Sequence, residues 1–148
     1  MASVGFSNPT PWKTPREITD AELGNIIEGM CAQVKDFGHC IFHFHVPPLD
    51  STLDSCPKLD WETDPPTPIV SGGQIVFAGA GSQSVRNAIE KHQPMLGLHG
   101  HIHESRGTAS IGRTLCVNPG SEYAEGYLRG ALIVLKAGKI ASCQLTTG

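Results

Sequence analysis

Apolar residues recur along this chain with two periods, helical near the start and strand-like further on. Leu23, Ile26, Ile27, Met30 and Val34 are spaced three or four apart and predict one amphipathic helix. Thr19 and Glu22 form a capping box at its start, while Gly24 and Gly29 lower its intrinsic stability by about 1 kcal/mol each. Cys40 to His45 has the aromatic and β-branched character of a buried strand, stopped by Pro47-Pro48. A second helix is predicted on the stripe Val85, Ala88 and Ile89, with Ser82 as N-cap and Pro94 closing it. Ile75–Ala78, Met95–His99 and Thr114–Asn118 read as strands. Ala131–Leu135 and Ile140–Leu145 read as a hairpin turning at Ala137-Gly138.

Between these segments lie two irregular stretches. Residues 7–16 are too rich in proline for a regular element, and residues 49–74 form a long loop with little periodicity. Helix and strand alternate first and antiparallel strands come last, which predicts a mixed-sheet α/β or α+β fold.

Composition narrows the class. The chain has 148 residues, 39% apolar and 17% charged, enough to bury a core. A net charge of −3 gives no footprint for non-specific nucleic-acid or membrane binding, so a phosphate-bearing substrate would need a local site. The longest apolar run, Ala131–Leu135, is far too short to span a bilayer. Met1–Pro11 lacks the basic and apolar regions of a secretory signal. Cys31, Cys40, Cys56, Cys116 and Cys143 are odd in number and never spaced C-x-x-C, which predicts reduced thiols and a cytoplasmic location.

Chemistry concentrates in two short segments that hold five of the seven histidines. In His99-Gly100-His101-Ile102-His103, an extended backbone would project His101 and His103 from one face, as paired metal ligands. Gly100 would leave room for close backbone approach. In His43-Phe44-His45-Val46-Pro47-Pro48, the proline pair would hold His45 rigidly at a strand end. His43 and His99 suit packing or support roles, and His39 and His92 ordinary surface or core roles. Asp50, Ser51 and Asp54 read as turn and cap residues before they read as substrate contacts. Arg86 and Arg106 are compatible with a phosphate contact or with a surface charge.

H-x-P-P followed downstream by G-H-x-H resembles the closing motifs of calcineurin-like metallophosphoesterases. Gly81–Arg86, Leu98–Ser105 and Val117–Tyr123 extend the resemblance, which runs from about Trp12 to the end. It implies that residues 1–148 are one partial domain, the C-terminal half of a four-layer αββα sandwich. It also implies a two-metal phosphoester hydrolase. His45 would bind one divalent transition metal with His101, and His103 would bind the other; manganese, iron, cobalt, nickel and zinc are all compatible. Asn118–Ser121 would shape a turn near the site.

The family's Asp-x-His, Gly-Asp and Gly-Asn-His motifs have no counterpart here; the sole Gly-Asn, Gly24-Asn25, lies inside the first predicted helix. The expectation is a chain inactive alone, whose carboxylates come from a missing N-terminal half or a second chain. Self-association through exposed apolar sheet is a further expectation. Two other readings stay open: a non-catalytic binding module on the same fold, and a mononuclear zinc site of three histidines and water.

Overall fold

Helix α1 (Asp20–Cys31) starts where the capping box places it: Thr19 Oγ1 accepts from the Glu22 amide, and the Glu22 carboxylate accepts from the Thr19 amide. Leu23, Ile27 and Cys31 are its buried face, whereas Ile26 stays 38% exposed. The helix joins two parallel strands, β1 (Ala2–Val4) and β2 (Ile41–Phe44), in a β-α-β unit. A 3₁₀ turn at Phe37–His39 leads into β2. Strand β1 has no counterpart among the elements the sequence predicts; three residues show too little alternation to announce a strand.

The computed structural model describes residues 1–148. After β2 come six short strands: β3 (Ser55–Pro57), β4 (Leu59–Asp60), β5 (Thr67–Pro68), β6 (Val70–Ser71), β7 (Gln74–Ile75) and β8 (Phe77–Gly79). They pair antiparallel as β3–β8, β4–β5 and β6–β7, so the long loop folds back on itself as an irregular three-rung arm. Helix α2 (Gln83–His92) follows, capped by Ser82 and ended by Gln93 in the left-handed region. Then come β9 (Leu96–Leu98), β10 (Gly107–Ile111), β11 (Thr114–Asn118), a 3₁₀ turn at Tyr123–Glu125, β12 (Arg129–Lys136) and β13 (Lys139–Thr147).

The protein is a mixed α+β fold on a five-stranded sheet in the order β1-β2-β9-β11-β10. The first four strands are parallel and β10 closes the edge antiparallel. Both helices contribute to a single core with Phe42, Phe44, Ala2, Val4 and Cys116 from the sheet. Gly24 explains how closely they meet: a Cβ there would lie 2.8 Å from Ser84 Oγ. That hydroxyl donates to the carboxylate of Asp20, which also accepts from Ser82 Oγ, so the two helix N-termini share one carboxylate.

Register places Ile41, His43, Leu96, Leu98, Leu115 and Val117 on the opposite face of the sheet. Leu96 and Val117 are buried, His43 is exposed and the others are half-buried. The β12–β13 ribbon forms its own two-stranded sheet and leaves Leu132, Val134 and Leu135 exposed at 58%, 45% and 44%. All five cysteines are free thiols, with Cys31, Cys40 and Cys116 buried. No helix is long and apolar enough to cross a membrane.

Candidate functional site

The carboxyl ends of parallel strands in an open sheet are where such folds bind ligands. Here β1, β2, β9 and β11 deliver, just beyond their ends, the segments that sequence reading singled out. His45 follows β2, His99 to His103 follow β9, and Asn118 ends β11. These histidines line one broad cleft of about 1540 Å³.

The proline pair works by being clamped. Val46, Pro47 and Pro48 are all buried; Ser82 N donates to the Pro47 carbonyl (2.9 Å), and Leu49 N donates to the Ser82 carbonyl (3.1 Å). A Cβ on Gly81 would sit 2.7 Å from that Pro47 oxygen, so only glycine lets this chain pass. His45 is therefore fixed from behind, and its backbone is paired on both sides, its N–H to Val4 and its carbonyl to Gly100 N (2.9 Å).

The second cluster departs from the extended geometry expected of it. Strand β9 ends at Leu98, and Ile102 N donates to the Gly100 carbonyl (2.7 Å) around His101, whose φ is +65°. This is a γ-turn of the rarer, positive-φ hand, costly for a residue with a side chain. The strand pattern failed because a tight turn, not a pleat, aims these side chains. His101 meets His45 edge to face, with ring centroids 5.2 Å apart. His103 instead sets its ring against Tyr123, 6.0 Å away at 84°. No three His, Cys, Asp or Glu side chains converge closely enough to hold an ion as the side chains stand.

Asn118 holds the turn in place. It is fully buried, and its Nδ2 donates to the carbonyls of Leu53 (3.1 Å) and Ile102 (2.8 Å), while Oδ1 accepts from Gly120 N (2.9 Å). Gly120, at φ +70°, lets Ser121 N reach the His103 carbonyl. The Asn-Pro-Gly-Ser segment is in this way the back wall of the histidine turn.

Burial controls the protonation of the imidazoles. It pushes His101 down to about 4, with the nearby His45 adding to the effect. His45 keeps solvent contact, yet the cleft walls desolvate it and lower its pKa, helped by His103, His43 and Arg16. Both rings are accordingly neutral at pH 7 with nitrogen lone pairs available. His99 is buried and also pushed down to about 4 by that burial. Its Nδ1 lies 3.0 Å from the Phe44 carbonyl and must donate, which leaves Nε2 as a buried lone pair with no partner. The ring covers Gly97, where a Cβ would come within 2.7 Å of Nε2. His99 thus ties the end of β9 to the strand that carries His45.

The remaining candidates have structural jobs. Asp54 is buried and accepts from the amides of Asp50, Ser51 and Gly81, and Arg86 donates to the carbonyls of Leu49 and Asp50. His39 meets Asp36 at the surface and His92 stacks on Phe37. Cleft residues that sequence reading passed over are Trp12, Arg16, Lys58, Trp61 and Tyr123. Trp12 and Arg16 sit on an irregular loop and Lys58 and Trp61 in the arm of very short strands, with no periodicity to mark any of them.

No protein-family model matches the chain. It is similar to an uncharacterized protein, MJ1162, of Methanocaldococcus jannaschii, at 32% identity over 121 residues, 80% of this chain and 47% of that protein. The chain therefore spans about half the length of the curated relative it matches. One crystal structure superposes with a TM-score of 0.56 at 21% identity, over 88% of this chain and 40% of its own, a likeness of fold alone. The crystal structure of TT1561 of Thermus thermophilus aligns at 18% identity over 99% of this chain and 49% of its own, with a TM-score of 0.44.

Proposed function

We propose that the chain is the histidine-bearing half of a metal-dependent phosphoester hydrolase of the calcineurin-like metallophosphoesterase type, one half of its four-layer sandwich. The observation that carries this reading is the meeting of His45 and His101, neutral and 5.2 Å apart, at the carboxyl ends of adjacent parallel strands. The H-x-P-P and G-H-x-H motifs and the match to half of a longer protein support it.

The donors within this chain do not make up a site for two dications. Two imidazoles face each other, the His103 ring packs against Tyr123, and no carboxylate completes a group of three donors. Charge compensation for two divalent ions needs carboxylates, which the reading assigns to the other half. His45, His101 and His103 would then be this chain's contribution, held in place by Pro47, His99 and Asn118.

The test is metal titration of the purified chain, followed by the same titration after co-expression with the N-terminal half of the longer relative. The chain alone should bind manganese or cobalt weakly, and His45→Ala or His101→Ala should abolish that binding. The joined halves should take up two ions and hydrolyse an aryl phosphate. A folded, metal-loaded pair without turnover sinks the reading.

The missing carboxylates equally favour a non-catalytic binding module. Substituting His101 and His103 together by Ala separates the two: unchanged assembly with no activity to lose supports the module.

A further inference from the structure

The chain has two tryptophans, and both line the histidine cleft. Trp12 is 69% exposed and Trp61 is 62% exposed, an unfavourable state for the largest apolar side chains. Neither is loose. The Trp12 loop is laced by the Glu17 carboxylate, which accepts from the amides of Thr10 (2.9 Å) and Thr14 (2.8 Å) and from both threonine hydroxyls. Asn8 Nδ2 anchors the same loop to the Ala80 carbonyl. The Trp61 turn is fixed by Glu62 N donating to Asp60 Oδ1 and by Thr67 N donating to Thr63 Oγ1, both at 3.0 Å. Two loops, far apart in sequence and each braced by its own hydrogen bonds, thus hold one indole each out from the core at one cleft.

The same cleft contains Arg16 and Lys58, both exposed and neither in an ion pair; Glu104 is the one carboxylate in its lining, and the Glu17 carboxylate, bound up with Thr10 and Thr14, stands close enough to act on His101. Unpaired cations beside desolvated imidazoles call for an anion, and presented indoles call for a flat ring.

We propose that the cleft selects phosphate-bearing ligands that carry a planar heteroaromatic ring, the ring held by Trp12 and Trp61 and the phosphate by Arg16, Lys58 and the histidine end. This deepens the phosphoesterase reading, on which it rests for which bond is cleaved but not for binding.

With no other tryptophan in the chain, tryptophan emission, excited selectively over tyrosine, reports on this cleft alone. Adenosine 5′-monophosphate is the probe, compared with adenosine, ribose 5-phosphate and inorganic phosphate. Adenosine 5′-monophosphate should quench saturably, adenosine more weakly, and ribose 5-phosphate should neither quench nor compete at similar concentration. Trp12→Ala and Trp61→Ala should each weaken binding by about fivefold or more, read by calorimetry, whereas the Phe variants keep most of it. Arg16→Ala with Lys58→Ala should weaken the monophosphate and leave adenosine unchanged. Equal affinity for ribose 5-phosphate, or Ala variants that bind like the parent, overturns the proposal. So does emission that shifts only when the other half of the longer protein is added, because the indoles are then interface residues. Ring-dependent binding without turnover in the joined halves would remove the enzyme reading and leave this one standing. Turnover blind to the ring would do the reverse.

Discussion

His101 occupies a backbone region that costs an L residue about 1–2 kcal/mol, and it does so at the point where it meets His45. A glycine there relieves the strain; an alanine does not. His101→Gly should therefore be more stable than His101→Ala by about 1 kcal/mol in denaturant titration, although both lose the imidazole. His99 supplies part of the pH dependence, alongside His101. Its folded pKa of about 4 lies below the ordinary 6.5, so the unfolded chain takes up the proton first. The stability tied to neutral His99 is complete above pH 6.5 and is lost as pH falls toward 4. In chelator-treated protein that loss is on the order of 3 kcal/mol, and His99→Phe should make the stability profile shallower across this window, the slope that remains coming from His101, also lowered to about 4. Asn118 is the third residue whose removal has a definite cost. Asn118→Ala takes the side-chain donor from the Leu53 carbonyl, leaves the Ile102 carbonyl only a long bond from Ser105 N (3.4 Å), and should cost about 2 kcal/mol, measured by thermal or chemical unfolding.

Among the elements, α1 shows how far local rules reach. Its two glycines look alike in sequence, but nothing lies within 4 Å of a Cβ on exposed Gly29, whereas one on Gly24 would strike Ser84. Gly29→Ala should stabilise the protein by about 1 kcal/mol, and Gly24→Ala should destabilise it, both read from unfolding midpoints. Elements with an internal signal were legible: the capping box, the α2 stripe with its Ser82 cap, strand β11 and the terminal hairpin all stand where their residues place them. What stayed hidden depends on distant partners. Strand β1 exists because β2 offers it an edge, and Gly81 matters because Pro47 passes beneath it. The two histidine segments were visible as chemistry, but the tight turn at His101 was not. Helix α1 and the β12–β13 ribbon also differ in burial, and the ribbon rests on few buried side chains. Its amides should exchange with deuterium faster than those of β2, β9 and β11.

For the whole molecule, the sheet order sets which contacts must form across the greatest lengths of chain. Strands β10 and β11 meet through a short turn, but β2 has to find β9 across a far longer stretch, and Trp12 reaches the cleft only once β1 has docked on β2. Contacts so separated in sequence form slowly, because loop closure comes before any gain from contact. The cleft is therefore built from segments far apart in the chain, and a small molecule seated in it would bridge Trp12, Lys58 and His101, which only the finished fold brings together. Such a molecule has nothing to bind in the unfolded chain. At a hundred times its dissociation constant it would add about 2.7 kcal/mol to global stability, which makes a thermal-shift screen of planar-ring phosphates a direct search for the natural ligand.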